Sequence, residues 1–133
     1  YYLDWAFTLI RGQQYDQAIK VYEELEKKIG LDENLVLQKQ RLYLRLGKVD
    51  KAVAETQRLI NAFPSDPKYY GMLAELYEAN NMPDKALELY KKILEISPDN
   101  PTAFLALAEY HRKKGEREKY LDYMQKAFHY LVV

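Results

Sequence analysis

PKYYGMLAELYEANNMPDKALELYKKILEISPDN, residues 67–100, reads as two amphipathic helices joined by a short turn. In the first, Tyr70, Leu73, Ala74 and Tyr77 gather within about 100° of arc at 3.6 residues per turn, so one face is committed to a partner helix. The same chemistry recurs at shifts of 34 residues, with no insertion needed to keep register. Ala86 is matched by Ala18, Ala52 and Tyr120, Tyr77 by Leu9, Tyr43 and His111, and Pro98 by Pro64 and Gly30. A fixed period of this length is the mark of a repeat architecture, in which each unit buries its apolar face only against its neighbours.

The unit boundaries carry their own punctuation. Asp66-Pro67 and Asn100-Pro101 place an N-cap side chain before a proline at the first helical position, where the missing N–H costs nothing. Asp32-Glu33 opens the second unit with the same kind of cap but without the proline. Gly47, Asn81 and Gly115 mark inner turns, and the first unit turns at Gly12-Gln13-Gln14. Eight helices are expected, near 1–12, 15–28, 33–46, 49–62, 67–80, 83–96, 101–114 and 117–131. No stretch alternates with period two, and the fold class is all-α.

The bulk composition restricts the function. The 133 residues, 48% hydrophobic and 30% charged, suit one compact domain or one short stack of repeats. Twenty basic and twenty acidic residues cancel, which argues against a nucleic-acid backbone or an anionic membrane as partner. No apolar run is long enough to span a bilayer, so no membrane insertion of this segment is expected. With no cysteine there is neither a disulfide nor a thiolate metal site. His111 and His129 are the only histidines, on different helices, and no nucleophile–base constellation accompanies them. His111 stands where the other units carry a packed residue and reads as a core side chain. A non-enzymatic protein is expected, with no catalytic residue, cofactor or metal.

The chain resembles the tetratricopeptide repeat family. The third unit carries the resemblance through Tyr70, Leu73, Ala74, Tyr77, Ala86, Tyr90 and Pro98. The second supplies Tyr43, Gly47, Ala52 and Pro64, the first Trp5, Ala6, Tyr15, Ala18 and Tyr22. The fourth keeps Phe104, Leu107, Ala108, Gly115 and Ala127 but departs at His111 and Tyr120. The resemblance implies a right-handed α-solenoid of four antiparallel helix pairs, forming a single domain over 1–133 with units of about 1–32, 33–66, 67–100 and 101–133. It explains most of the thirteen tyrosines as packing residues. It also implies a scaffold for protein–protein interaction, with a concave groove that holds a peptide or partner helix. Some similar bacterial arrays are exported or envelope-anchored, a lean on location that leaves the compartment undecided.

The arc of each first helix opposite its packed face would line this groove. Down the units it gives Leu3, Leu37, Gly71, Leu105, then Phe7, Arg41, Glu75, Glu109, then Ile10, Leu44, Glu78, Arg112. Arg11, Arg45 and Lys113 flank these lines, and Lys68 and Met72 complete the third unit's wall. The expected apolar contacts are Leu3, Phe7, Leu37 and Leu44, with Arg41 and Arg45 meeting acidic groups of the partner. The bland alternative has those arginines paired with Glu75 and Glu78, an exposed pairing that contributes only ~0–1 kcal/mol. A variant of the family grips a carboxylate terminus of chaperones with Lys, Asn and Arg. The matching places here hold Leu3, Phe7, Gln38, Lys68 and Met72, of which only Lys68 suits that task.

Two other readings remain open. In one, the chain is an architectural segment whose contacts lie at its ends, because Ala127-Phe128-His129-Tyr130-Leu131-Val132-Val133 makes an apolar finish and self-association is expected. The start at Tyr1 rather than Met fits a fragment of a longer array. In the other, a helical repeat binds RNA, which the zero net charge and the 34-residue period disfavour.

Overall fold

A computed structural model describes residues 1–131; Val132 and Val133 of the expected apolar finish lie outside the described residues. The helices are α1 (Tyr2–Arg11), α2 (Tyr15–Ile29), α3 (Glu33–Arg45), α4 (Val49–Ala62), α5 (Pro67–Ala79), α6 (Pro83–Ile96), α7 (Pro101–Lys113) and α8 (Arg117–Leu131). All eight expected helices form, with ends within a residue or so of their expected places, and the described residues contain no strand. None of these helices is long and apolar enough to cross a membrane. The helices pair as α1 with α2, α3 with α4, α5 with α6 and α7 with α8. Where the sequence reads as one domain, the chain divides into two compact units, Tyr1–Ala62 and a second that begins at Phe63.

Helix starts follow the expected chemistry. Leu35 N–H donates to Asp32 Oδ1 at 3.1 Å, Lys68 N–H to Asp66 Oδ1 at 3.0 Å and Ala103 N–H to Asn100 Oδ1 at 3.1 Å. The inner turns are one motif used four times. The N–H groups of Gln14, Lys48, Met82 and Glu116 donate back to the carbonyls of Leu9, Tyr43, Tyr77 and His111 at 2.8, 2.8, 2.8 and 2.9 Å. Each such six-residue closure needs a left-handed residue just before its donor. Those residues are Gln13, Gly47, Asn81 and Gly115, with φ of 60°, 73°, 61° and 76°. The first unit therefore differs from expectation in detail, because Gly12 sits at φ −84° and Gln13 takes the strained position. Gln13→Gly should raise stability by ~1 kcal/mol, since a side chain costs more than glycine's extra unfolded freedom at this φ. Urea melts measure it, and an unchanged or lowered midpoint would sink the assignment.

In the first unit, Ala6, Leu9, Ala18, Ile19, Val21, Tyr22, Leu35 and Leu42 form a core cluster. Trp5 does not join it. The packed role expected for Trp5 is corrected by its 47% exposure, with Tyr1 leaning on its ring at 6.2 Å. Its counterparts at 34-residue steps, Lys39, Leu73 and Leu107, are all buried, and among the described residues α1 packs on α2 alone, whereas α3 packs on both α2 and α4.

Lys39 is the larger departure. It occupies the buried leucine place of Leu73 and Leu107 and is 2% exposed. Its ammonium lies 2.9 Å from Glu55 Oε1 and 3.6 Å from Glu26 Oε2. Arg58 closes the ring, with Nη1 donating to Glu55 Oε2 at 3.1 Å and to Glu26 Oε2 at 3.2 Å, while Nη2 donates to Glu26 Oε1. Alternating charges thus tie α2, α3 and α4 together. Burial alone would raise the Glu26 carboxyl, but the Arg58 hydrogen bond and the charges of Lys39 and Arg58 outweigh it and hold the group below its usual range. Beside the ring, Gln40 Nε2 donates to Thr56 Oγ1 at 2.9 Å, both buried. No buried side-chain nitrogen or oxygen among the described residues lacks a partner.

In the second unit Tyr70, Leu73, Ala74, Ala86, Tyr90, Ile93, Phe104, Leu107 and Ala108 are buried, as the resemblance implies. His111 is half-buried, stacked on Tyr123 at 5.4 Å, with Nδ1 3.4 Å from Glu116 Oε1. No cluster of metal-ligating side chains occurs among the described residues.

Candidate partner-binding groove

The outward arc of α5 is open along its length. Lys68, Glu75 and Glu78 are exposed, and Gly71 and Met72 are half-buried. Two adjoining cavities lie along this arc within the second unit. One, of about 450 Å³, is lined by Pro67, Lys68, Gly71, Met72 and Glu75 of α5, Tyr90 and Ile93 of α6, Thr102 and Ala103 of α7, and the caps Asp66 and Asn100. The other, of about 610 Å³, is lined by Glu78, Asn81, α6 residues Pro83, Ala86, Leu87 and Tyr90, and α7 residues Thr102, Leu105, Ala106, Glu109, Tyr110 and Lys113, with Lys114. Tyr90 and Thr102 belong to both, so the two form one trough from the start of α5 to the end of α7.

The trough is apolar below and charged on its rims. Ala86, Leu87, Leu105 and Ala106 form the floor of the larger cavity, and Leu105 is 38% exposed there. Gly71 has only Ile93 Cδ1 near its missing Cβ, at 3.9 Å, so glycine is not required by space. Tyr90 donates its hydroxyl to Glu78 Oε1. Burial, then that hydrogen bond and the charge of Glu78, then the charge of Glu75 push its phenol far above the ordinary tyrosine value. Tyr110 donates to Asp84 Oδ1 at 2.7 Å, and Lys114 lies 3.7 Å from the same oxygen and over the Tyr110 ring at 5.1 Å. Glu109 accepts from Arg112 Nε at 2.8 Å.

Of the residues expected to line a groove, Lys68, Met72, Glu75, Glu78, Leu105 and Glu109 come together in this trough. Arg112 does not; it borders a separate hollow with Gly115, Arg117, Tyr120 and Leu121. In the first unit Leu3, Phe7, Arg11 and Arg41 are exposed, Leu3 by 60% and Phe7 by 59%. Arg11 lies over the Phe7 ring at 5.8 Å. Leu37 and Leu44 are half-buried, and Ile10 packs against the core cluster. Arg45 donates to Tyr15 Oη at 3.0 Å and covers its ring. Glu78 likewise takes its hydrogen bond from Tyr90.

Sequence reasoning missed Leu87, Tyr90, Thr102, Ala106 and Tyr110 as lining residues. For Leu87 and Tyr90 the reason is that it considered the first helix of each pair alone, whereas the floor is shared with α6. Thr102, Ala106 and Tyr110 lie on α7 beside the named places Leu105 and Glu109. The signal was present: Leu87 repeats Ile19, which is buried, yet Leu87 is only half-buried.

Helix pairs of fixed period, closed by a repeated left-handed turn and leaving an open trough, define a helical-repeat interaction scaffold. Two profiles described as tetratricopeptide repeat match the chain, at residues 37–101 and 1–28. The chain belongs to the tetratricopeptide repeat family, a family of protein–protein interaction scaffolds. No curated protein sequence matches it. Among solved structures, MamA from Desulfovibrio magneticus RS-1 superposes with a TM-score of 0.66 at 17% identity, covering 94% of this chain and 71% of that one. YrrB, described as a TPR protein with an unusual peptide-binding site, gives 0.63 at 20% identity, covering 97% and 66%. MamA AMB-1, in its P212121 crystal form, gives 0.63 at 18%, covering 96% and 70%. At such identities the likeness shows the fold.

Proposed function

We propose that the chain holds an extended peptide or a partner helix along the outward arcs of its first-in-pair helices. The observation that carries this reading is the trough on α5, α6 and α7, which is large enough for side chains of a partner and has an apolar floor with polar rims. In the first unit the same reading uses Leu3, Phe7, Leu37 and Leu44 as apolar contacts and Arg41 for acidic groups. The trough has lysines on its rims, Lys68 and Lys113, which suits amine-directed cross-linking in the source cells. Partner cross-links at Lys68 and Lys113 are expected. They should be lost in an Arg41→Glu, Leu44→Asp, Leu105→Asp variant of unchanged helicity. Cross-links unaffected by these changes would overturn the reading.

One observation favours a second reading, contact through the ends. On α8, Leu121 is 46%, Phe128 67% and Leu131 56% exposed, although their counterparts in α2 and α4 include the buried Ile19 and Ile60. Cross-links confined to Lys126 and the α1 amino terminus would support that reading instead.

A further inference from the structure

Resting on the groove reading, we infer that the trough of the second unit selects a partner segment carrying a basic side chain beside a large apolar one. Three carboxylates stand around its middle. Glu75 lines one cavity and Glu78 and Glu109 the other, while Tyr90 is the side chain from α6 that both cavities share. Glu75 and Glu78 are three residues apart on α5 and therefore neighbours on one face. Glu75 makes no ion pair and no hydrogen bond among the described residues. Glu78 takes a single proton from a neutral phenol, which leaves its charge uncompensated. Glu109 shares its charge with Arg112. Burial first, and after it the hydrogen bond and charge of Glu78 and the charge of Glu75, raise the Tyr90 phenol between them.

The trough's cations are at its ends. Lys68 is at the start of α5, where it lies over the Tyr69 ring at 5.8 Å. Lys114, past the end of α7, is held by Asp84, and Lys113 is exposed beside it. A guanidinium or ammonium entering beside Tyr90 would meet Glu75 and Glu78 together. The neighbouring apolar side chain would occupy the floor of Ala86, Leu87 and Leu105. An acidic segment would instead face two carboxylates with no cation between them.

Two synthetic decapeptide libraries test this, degenerate at every position except a central Arg in one and a central Glu in the other. Each is bound to the full chain in solution, and NMR shifts of Leu87, Leu105 and Tyr90 report where it binds. The Arg library is expected to bind about tenfold or more tightly, the advantage of a charge-assisted contact. Glu75→Gln should shrink that preference several-fold, while Glu88→Gln, an exposed change outside the trough, should leave it intact. Shifts at Leu105 with equal affinity for both libraries would overturn the inference and leave the groove reading standing, as would a preference for Glu. No shift with either library would overturn both.

Discussion

Lys39→Ala is expected to lower the stability of the chain by about 3–5 kcal/mol, because it leaves the half-buried Glu26 and the buried Glu55 with one cation between them. The melting temperature should fall by roughly 10–20 °C. The cost comes less from the lost attraction than from two carboxylates whose side chains are only 14% and 11% exposed. Lys39→Leu with Glu55→Leu should recover most of it, since those changes install the residues that Leu73 and Leu89 supply one repeat on and leave Glu26 paired with Arg58. A loss below ~1 kcal/mol for Lys39→Ala would mean that the ring contributes like an exposed pair. The acid limb gives an independent reading. Glu26 is depressed in the fold, so its contribution is fully present above the unfolded carboxylate pKa of about 4.3 and is lost as pH falls through the folded value. Glu26→Gln should accordingly flatten the dependence of stability on pH below that point.

The second large effect concerns Gln40. Gln40→Ala should cost about 2–4 kcal/mol, combining a cavity with the loss of the buried hydrogen bond to Thr56. The repeat register explains why this site is polar. Gln40 stands where the other units have Ala6, Ala74 and Ala108, and Thr56 where they have Tyr22, Tyr90 and Met124. One side of the helix pair has grown and the facing side has shrunk, which conserves volume. Thr56→Tyr alone should therefore overpack, while the double Gln40→Ala, Thr56→Tyr should be more stable than the sum of its parts by ~1 kcal/mol or more. Denaturant melts of the four proteins close the cycle, and additive effects would show that the two sites do not share space.

The register that exposes this exchange also shows how far the sequence reaches. Helix starts at Asp32, Asp66 and Asn100 were legible because a cap is a local event, settled within three residues of chain. The left-handed residue at Gln13 was legible only through its fellows at Gly47, Asn81 and Gly115, because glutamine carries no sign of that conformation. On α5 the arc of Lys68, Glu75 and Glu78 was legible as an exposed face. Their cavity was not, because its floor comes from Leu87 and Tyr90 on α6 and Leu105 on α7. Ile10 was assigned to the same arc, yet it turns toward the core beside Leu9. Helical periodicity locates a face to within a residue or so, and a residue at its margin falls to whichever neighbour packs closer.

By itself the sequence determined the all-α class, the four helix pairs, their boundaries and the family, because period, caps and turns act over short stretches of chain. The tertiary structure alone decided three things. It buried Lys39, Glu55, Gln40 and Thr56 as partners rather than as misfit residues, it left Trp5 exposed where its counterparts are covered, and it formed the trough beneath Glu75 and Glu78. Each depends on side chains from different helices meeting in space. The free energy of a buried charge or an open cavity is set by those neighbours, and no periodicity along one helix encodes them.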